Sequence, residues 1–191
     1  MSDDERNGDW MQTFTGRAFW PVDPRADEIC IEDIAHALSM ICRYCGHVRT
    51  FYSVAQHSVL VARSASPENK LWALMHDASE AYIVDVPRPL KPSLPGYREI
   101  ESRVMAAVCE RFGMSPIEPP EIKRIDNAIL ADEAAQLMAV PPRDWNLPEA
   151  PLGIDIDPWS PIVAKAEFLE MFGNLTQMEP TWTKSSKSYL A

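Results

Sequence analysis

Leu71-Trp72-Ala73-Leu74-Met75-His76-Asp77-Ala78-Ser79-Glu80 decides how this chain is read. Its apolar residues recur at helical spacing, so the stretch reads as an amphipathic helix packed on a core. The run ends in one imidazole and one carboxylate, placed at the wall of that core. Burying such groups without partners is costly. His76 and Asp77 therefore call for partner groups elsewhere in the chain. Glu80 follows Asp77 by three and shares its helix face.

Working outward, two further segments supply such groups. In Ser53-Val54-Ala55-Gln56-His57-Ser58-Val59-Leu60-Val61-Ala62, Ser53 and Gln56 have capping-box spacing, so a helix starts at Ser53. Val54, His57 and Val61 fall on one face and turn His57 toward the core. In the segment Glu121–Leu130, Ile122, Ile125 and Ile129 form an apolar stripe with Asp126 inside it. Asp132 lies nearer the edge of that stripe, so Asp126 is preferred. Two neutral imidazoles, His57 and His76, and two carboxylates, Asp77 and Asp126, suit one divalent ion: Zn, Co or Mn, with Fe or Mg also admitted.

The rest of the chain reads as helices separated by breakers. Residues 1–10 read as a disordered acidic tail, 11–178 as a single domain and 179–191 as a polar tail. A short hairpin is expected around Thr15-Gly16. The first helix is expected over Ile31 to Cys45, the second from Ser53 to before Pro67, and the third from Ser66 as N-cap through Ala78. Residues 85–96 carry prolines at a density that forbids helix. An irregular segment of that length in a compact domain is usually functional. Further helices are expected over Tyr97–Phe112, Pro120–Met138 and from Ser160-Pro161 to Gly173, the last with Ile162, Ala166, Leu169 and Phe172 inward. A second proline-rich loop covers 141–158. Strand–helix alternation is absent, so the class is all-α, a bundle of about six helices.

The composition narrows the function classes. The chain has 191 residues, 46% of them apolar, and a formal charge of -10. That acidity lowers the odds of a nucleic-acid polymer as partner. The N-terminus does not resemble a signal peptide, and no apolar run approaches the ~20 residues needed to span a bilayer. A cytoplasmic protein without membrane contact is expected, with its four cysteines as reduced thiols. Cys42-x-x-Cys45 with His47 and Cys30 is a poor zinc site, because no second Cys-x-x-Cys exists and Cys30 is a helix away. His36 reads as a packing residue of the first helix, and His47 lies just past it.

The order His57, His76-Asp77 and Asp126, each on a helix, resembles the HD superfamily of metal-dependent phosphohydrolases. Cys42-Arg43-Tyr44-Cys45-Gly46-His47, Phe51-Tyr52-Ser53-Val54-Ala55-Gln56-His57-Ser58, His76-Asp77-Ala78-Ser79-Glu80 and Asp85-Val86-Pro87-Arg88-Pro89-Leu90-Lys91 narrow the resemblance. They are similar to the branch holding bacterial deoxynucleotidases and phage deoxyadenosine triphosphate (dATP) triphosphohydrolases. The resemblance runs from about Ile31 to Met138 and implies a compact HD-type bundle. It implies a catalytic or water-orienting role for Glu80, with Asp77, and a phosphate grip for Arg43. Tyr44 stands where the deoxynucleotidases have tryptophan. Asp85 is implied near the sugar and reactive phosphate, and Lys91 near phosphate. The expected activity is hydrolysis at the α-phosphorus of a free deoxynucleotide, either a triphosphate such as dATP or a 5′-monophosphate. Relatives assemble, so a homo-oligomer is an expectation too. A non-catalytic, metal-stabilised binding or regulatory module is the alternative, and the intact set of four ligand types weighs against it.

Overall fold

Turn and cap chemistry sets the elements of the computed structural model, which describes residues 6–177. Met11–Gln12 (β1) and Ala18–Phe19 (β2) pair antiparallel, with Met11 opposite Phe19. Gly16 closes this hairpin at φ 82°, where a side chain would be strained. The regular structure that follows is helical: α1 Ile31–Met40, α2 Val54–Ser64, α3 Lys70–Met75, α4 Glu80–Ile83, α5 Tyr97–Phe112, α6 Pro120–Leu137 and α7 Pro161–Thr176. The class is all-α with a short N-terminal hairpin, as the sequence implies. Among the described residues no helix is long and apolar enough to cross a membrane.

The second helix is the axis of the fold. Ser53 caps it, its Oγ accepting from Gln56 N at 3.1 Å. Every residue from Val54 to Ala62 is buried, and α1, α3, α6 and α7 all pack on α2. A helix buried on all sides places whatever polar group it carries in the interior. Phe19, Ile34, Leu38, Leu74, Met75, Ile122, Ile129 and Phe168 fill the core around it.

Several boundaries differ from the sequence reading. The first helix stops at Met40, not Cys45. The chain turns extended at Ile41 and pairs back on the segment before α2: Arg43 N donates to Tyr52 O at 2.9 Å and Val54 N to Ile41 O at 3.1 Å. Arg43–Gly46 then forms a tight turn, with Tyr44 at φ 56° and Cys45 at φ 52°. The third helix begins after a 3-10 turn at Pro67–Asn69 and ends at Met75. Ser66 does not cap it; its Oγ donates to Glu121 Oε2 at 2.6 Å. Residues from His76 to Ser79 continue as tight turns into α4. The last helix runs on to Thr176 and buries Ala164, Phe168, Leu169 and Phe172, while Ile162 and Ala166 face out. Within the expected N-terminal tail, Arg6 is held by Asp23 and Glu28 and lies over the Trp20 ring. Residues 1–5 and the expected polar tail 179–191 lie outside the described residues.

The second proline-rich loop is stitched to the bundle through its backbone. Asp132 accepts from Leu152 N (2.9 Å) and Gly153 N (3.0 Å). Gln136 donates to Ile154 O and accepts from Ile156 N, and Gln56 donates to Asp157 O and accepts from Trp159 N. Buried irregular backbone needs such partners, and they fix Asp132 as a loop anchor.

Candidate metal centre

Three elements converge on one point. The axial helix α2 carries His57, fully buried. His76 and Asp77 sit at the end of α3, and Asp126 projects from α6. His57, His76 and Asp126 each offer a ligand atom, and these atoms all lie within 4.8 Å of one another. His57 Nε2 is 3.3 Å from His76 Nε2 and 3.3 Å from Asp126 Oδ1. Asp77 Oδ2 lies 3.3 Å from His76 Nε2 and 3.8 Å from His57 Nε2. Three of the four residues expected to bind metal, His57, His76 and Asp126, thus form one group, Asp77 approaches its two imidazoles, and Asp132 does not join them.

The far nitrogens decide the chemistry of the near ones. His76 Nδ1 is 2.7 Å from Ala73 O, and His57 Nδ1 is 2.7 Å from Glu133 Oε1. A carbonyl and a carboxylate only accept, so each Nδ1 carries the hydrogen, and in the neutral ring each Nε2 presents a lone pair. The two imidazole nitrogens and the Asp126 carboxylate then point at the same small space, with Asp77 beside the imidazoles. A cation is what this donor set fits. Two nitrogens bound at about 2.0–2.1 Å to a tetrahedral zinc lie about 3.3 Å apart, the separation between His57 Nε2 and His76 Nε2.

With protons alone, the cluster compensates. Burial and Arg43 oppose charge on His57, but Glu133 and Asp126 outweigh them and push its pKa up to about 9. Burial opposes ionisation of Asp126, yet the His57 hydrogen bond and nearby positive charges hold it well below the ordinary carboxylate range. A proton on His57 takes the part that a bound cation would play.

Next to the ligands lies a cleft of about 290 Å³ lined by His76, Asp77, Glu80, Glu101, Met105 and Glu118, among others. Glu80 is 6% exposed, and its Oε2 has no hydrogen-bond partner among the described residues. Burial, then Asp77 and Asp85, push the Glu80 carboxyl well above its ordinary range, against Arg43 and Lys91. Burial also raises Asp85, which is half-buried, with Arg43 opposing and Asp77 adding to the shift. Lys91 donates to Glu101 Oε1 at 2.7 Å. Arg88 places Nη2 3.6 Å from Asp126 Oδ2 and bonds Asn127, with its side chain 62% exposed.

Arg43, the expected phosphate grip, and Tyr44, which stands at the tryptophan position of the deoxynucleotidases, both engage Glu133. Arg43 is 9% exposed; its Nε and Nη2 donate to Glu133 Oε2 at 3.2 and 3.0 Å, and its Nη1 stands 3.7 Å from Asp77 Oδ2. Tyr44 also donates to Glu133 Oε2. Glu133 is the residue that sequence reading missed. Its signal was available: it lies seven positions after Asp126 and four after Ile129 on α6, so it continues the inward stripe.

The remaining candidates lie apart from this cluster. His36 stacks on Phe14 with ring centroids 3.7 Å apart, a packing role. His47 lines a separate groove with Arg49, Val140 and Trp145. The four cysteines are free thiols, and Cys42 and Cys45 form no metal-competent group among the described residues.

No family model matches the chain. It is 38% identical over 125 residues to an uncharacterized protein of Rhodobacter capsulatus, covering 60% of this chain and 64% of that protein. It is also 38% identical over 172 residues to the uncharacterized protein YfdR of Escherichia coli (strain K12), covering 88% of this chain and 97% of YfdR. An identity of that level, held along nearly the whole of the relative, means that the chain belongs to the YfdR family.

Proposed function

We propose that this chain is an HD-type, metal-dependent phosphohydrolase acting on free deoxynucleotides, with His57, His76, Asp77 and Asp126 as its metal ligands. The observation that carries the reading is the convergence of two bare imidazole nitrogens and two carboxylates beside a cleft into which a buried glutamate projects. A divalent ion held by these residues would polarise a phosphoryl oxygen and lower the pKa of water.

The chain's own residues supply the rest. Water adds to the α-phosphorus and the bond from phosphorus to the leaving oxygen breaks. Glu80 Oε2 takes the proton from the attacking water and returns it to the leaving oxygen. Burial, with Asp77 and Asp85, raises the proton affinity of that carboxyl, the direction a group that takes and then returns a proton requires. Asp77 both faces the imidazoles and holds the exposed edge of Arg43. Arg88, Lys91 and Arg43 Nη1 are the cations available to offset phosphate charge, and Asp85 lies at the sugar side.

These cations stand among Asp77, Glu80, Asp85, Glu101 and Glu118. That balance favours a substrate with one phosphate over one with three, and so a deoxynucleoside 5′-monophosphatase. A triphosphate, dATP included, would call on more positive charge than Arg88, Lys91 and Arg43 Nη1 supply. Incubation with a panel of deoxynucleotides plus Mn or Co, resolved by chromatography, separates the readings. Nucleoside and phosphate from monophosphates support the proposal. Release of intact triphosphate moves the assignment to a triphosphohydrolase. Metal uptake with no turnover of any nucleotide overturns it in favour of a metal-stabilised binding or regulatory module.

A further inference from the structure

Glu133 takes no part in the chemistry just described, yet its fully buried carboxylate is shared between two sets of donors. Oε1 accepts from His57 Nδ1 at 2.7 Å and from the Tyr52 hydroxyl at 2.9 Å. Oε2 accepts from Arg43 Nε and Nη2 and from the Tyr44 hydroxyl. A buried carboxylate that only balanced a guanidinium would need the second set alone. The first set reaches the far nitrogen of a metal-competent imidazole. We infer that Glu133 is a positioning residue of the metal centre: one oxygen fixes His57 as an Nε2 ligand while the other aims Arg43 at Asp77. This rests on the metal-centre reading above.

The local fold makes the sharing work. The backbone bond from Arg43 N to Tyr52 O, with the bridge between Cys42 and Ser53, holds the two segments side by side. Both side chains therefore reach the same carboxylate from α6. With Nε and Nη2 engaged, Arg43 has its Nη1 left, 3.7 Å from Asp77 Oδ2. Glutamine cannot reproduce this pattern, because it offers one acceptor and one donor end. If its oxygen faces His57, its NH2 meets the Arg43 N–H groups, donor against donor. If its NH2 faces His57, Nδ1 must accept, the hydrogen moves to Nε2, and the lone pair that binds metal is lost.

The test is metal titration of the metal-stripped 191-residue chain by calorimetry with Zn and Mn, with helix content followed by circular dichroism. Glu133→Gln should weaken binding about 10- to 100-fold with helix content retained, whereas Tyr52→Phe should stay within about threefold of the wild type. A second readout needs no variant: long-range proton–nitrogen correlation on the zinc-loaded wild type should show His57 with Nδ1 protonated. A folded Glu133→Gln protein with wild-type affinity, or a His57 ring protonated at Nε2, overturns the inference and leaves the metal centre standing. Should Glu133→Gln fail to fold, the His57 tautomer decides alone. No metal uptake by the wild type overturns both the centre and the inference.

Discussion

At the scale of single residues, what a side chain touches on its far side fixes what it can do on its near side. His57 and His76 lend their Nδ1 hydrogens to Glu133 and Ala73, and that leaves both Nε2 atoms free to bind a cation. Asp126 and Asp132 show the contrast between similar residues on one helix. Asp126 faces the imidazoles, and Asp132 holds the backbone of Leu152 and Gly153. Asp126→Ala should therefore lose metal binding in calorimetry, while Asp132→Ala keeps it; equal losses would contradict this division of roles. Glu80→Gln should lower turnover by about 10²-fold or more while metal affinity stays within about threefold. A drop in affinity matching the drop in rate would make Glu80 a ligand instead. The candidate ligands were legible in the sequence because His57 and Asp126 sit on apolar helix faces and His76-Asp77 ends an apolar run, where a polar residue needs a reason. The inward position of Glu133 was readable from the same stripe as Asp126, but its role was not, because its partner Arg43 is ninety positions away.

At the scale of elements, caps and side-chain clamps matter more than the loops' composition suggests. Ser53 caps the helix that delivers His57, and Ser53→Ala should cost about 1 kcal/mol in denaturant unfolding. An unchanged midpoint would mean that the buried helix does not depend on its cap. Gln136→Ala should speed amide exchange at Ile156, whose N–H it accepts, ahead of the helices. Exchange limited by global unfolding would show that the loop is held by packing alone. The helices α2, α5 and α6 were readable because each carries an apolar stripe, with the Ser53 cap opening α2, Gly113 closing α5 and Pro120 opening α6. The end of α1 was not, since the pairing of Arg43 with Tyr52 that ends it is a tertiary contact. The face of α7 was misread in part: Leu169 and Phe172 are buried as expected, but the packed stripe turns toward Ala164 and Phe168, each two residues or about 200° from Ile162 and Ala166, which face out.

At the scale of the whole molecule, an acidic chain of net charge -10 gathers several carboxylates around one buried, cation-seeking cluster. The linked protons should be visible in its stability. The raised proton affinity of His57 stabilises the metal-stripped protein fully below its ordinary pKa of 6.5, and this is lost as pH climbs through about 9. Glu133 is depressed by Arg43 and His57 despite its burial, so its contribution is present above its ordinary 4.5 and lost as pH falls below it. Thermal midpoints of chelator-treated protein should therefore decline on both sides of that window. Added Zn or Mn should flatten the alkaline decline, because a bound ion replaces the His57 proton. An alkaline decline unaltered by metal would remove His57 from the ligand set. The most direct measurement is anomalous diffraction from crystals grown with Mn. The account predicts one strong peak enclosed by His57 Nε2, His76 Nε2, Asp77 Oδ2 and Asp126 Oδ1. No peak at that point, or those four atoms turned away from one another, would contradict it.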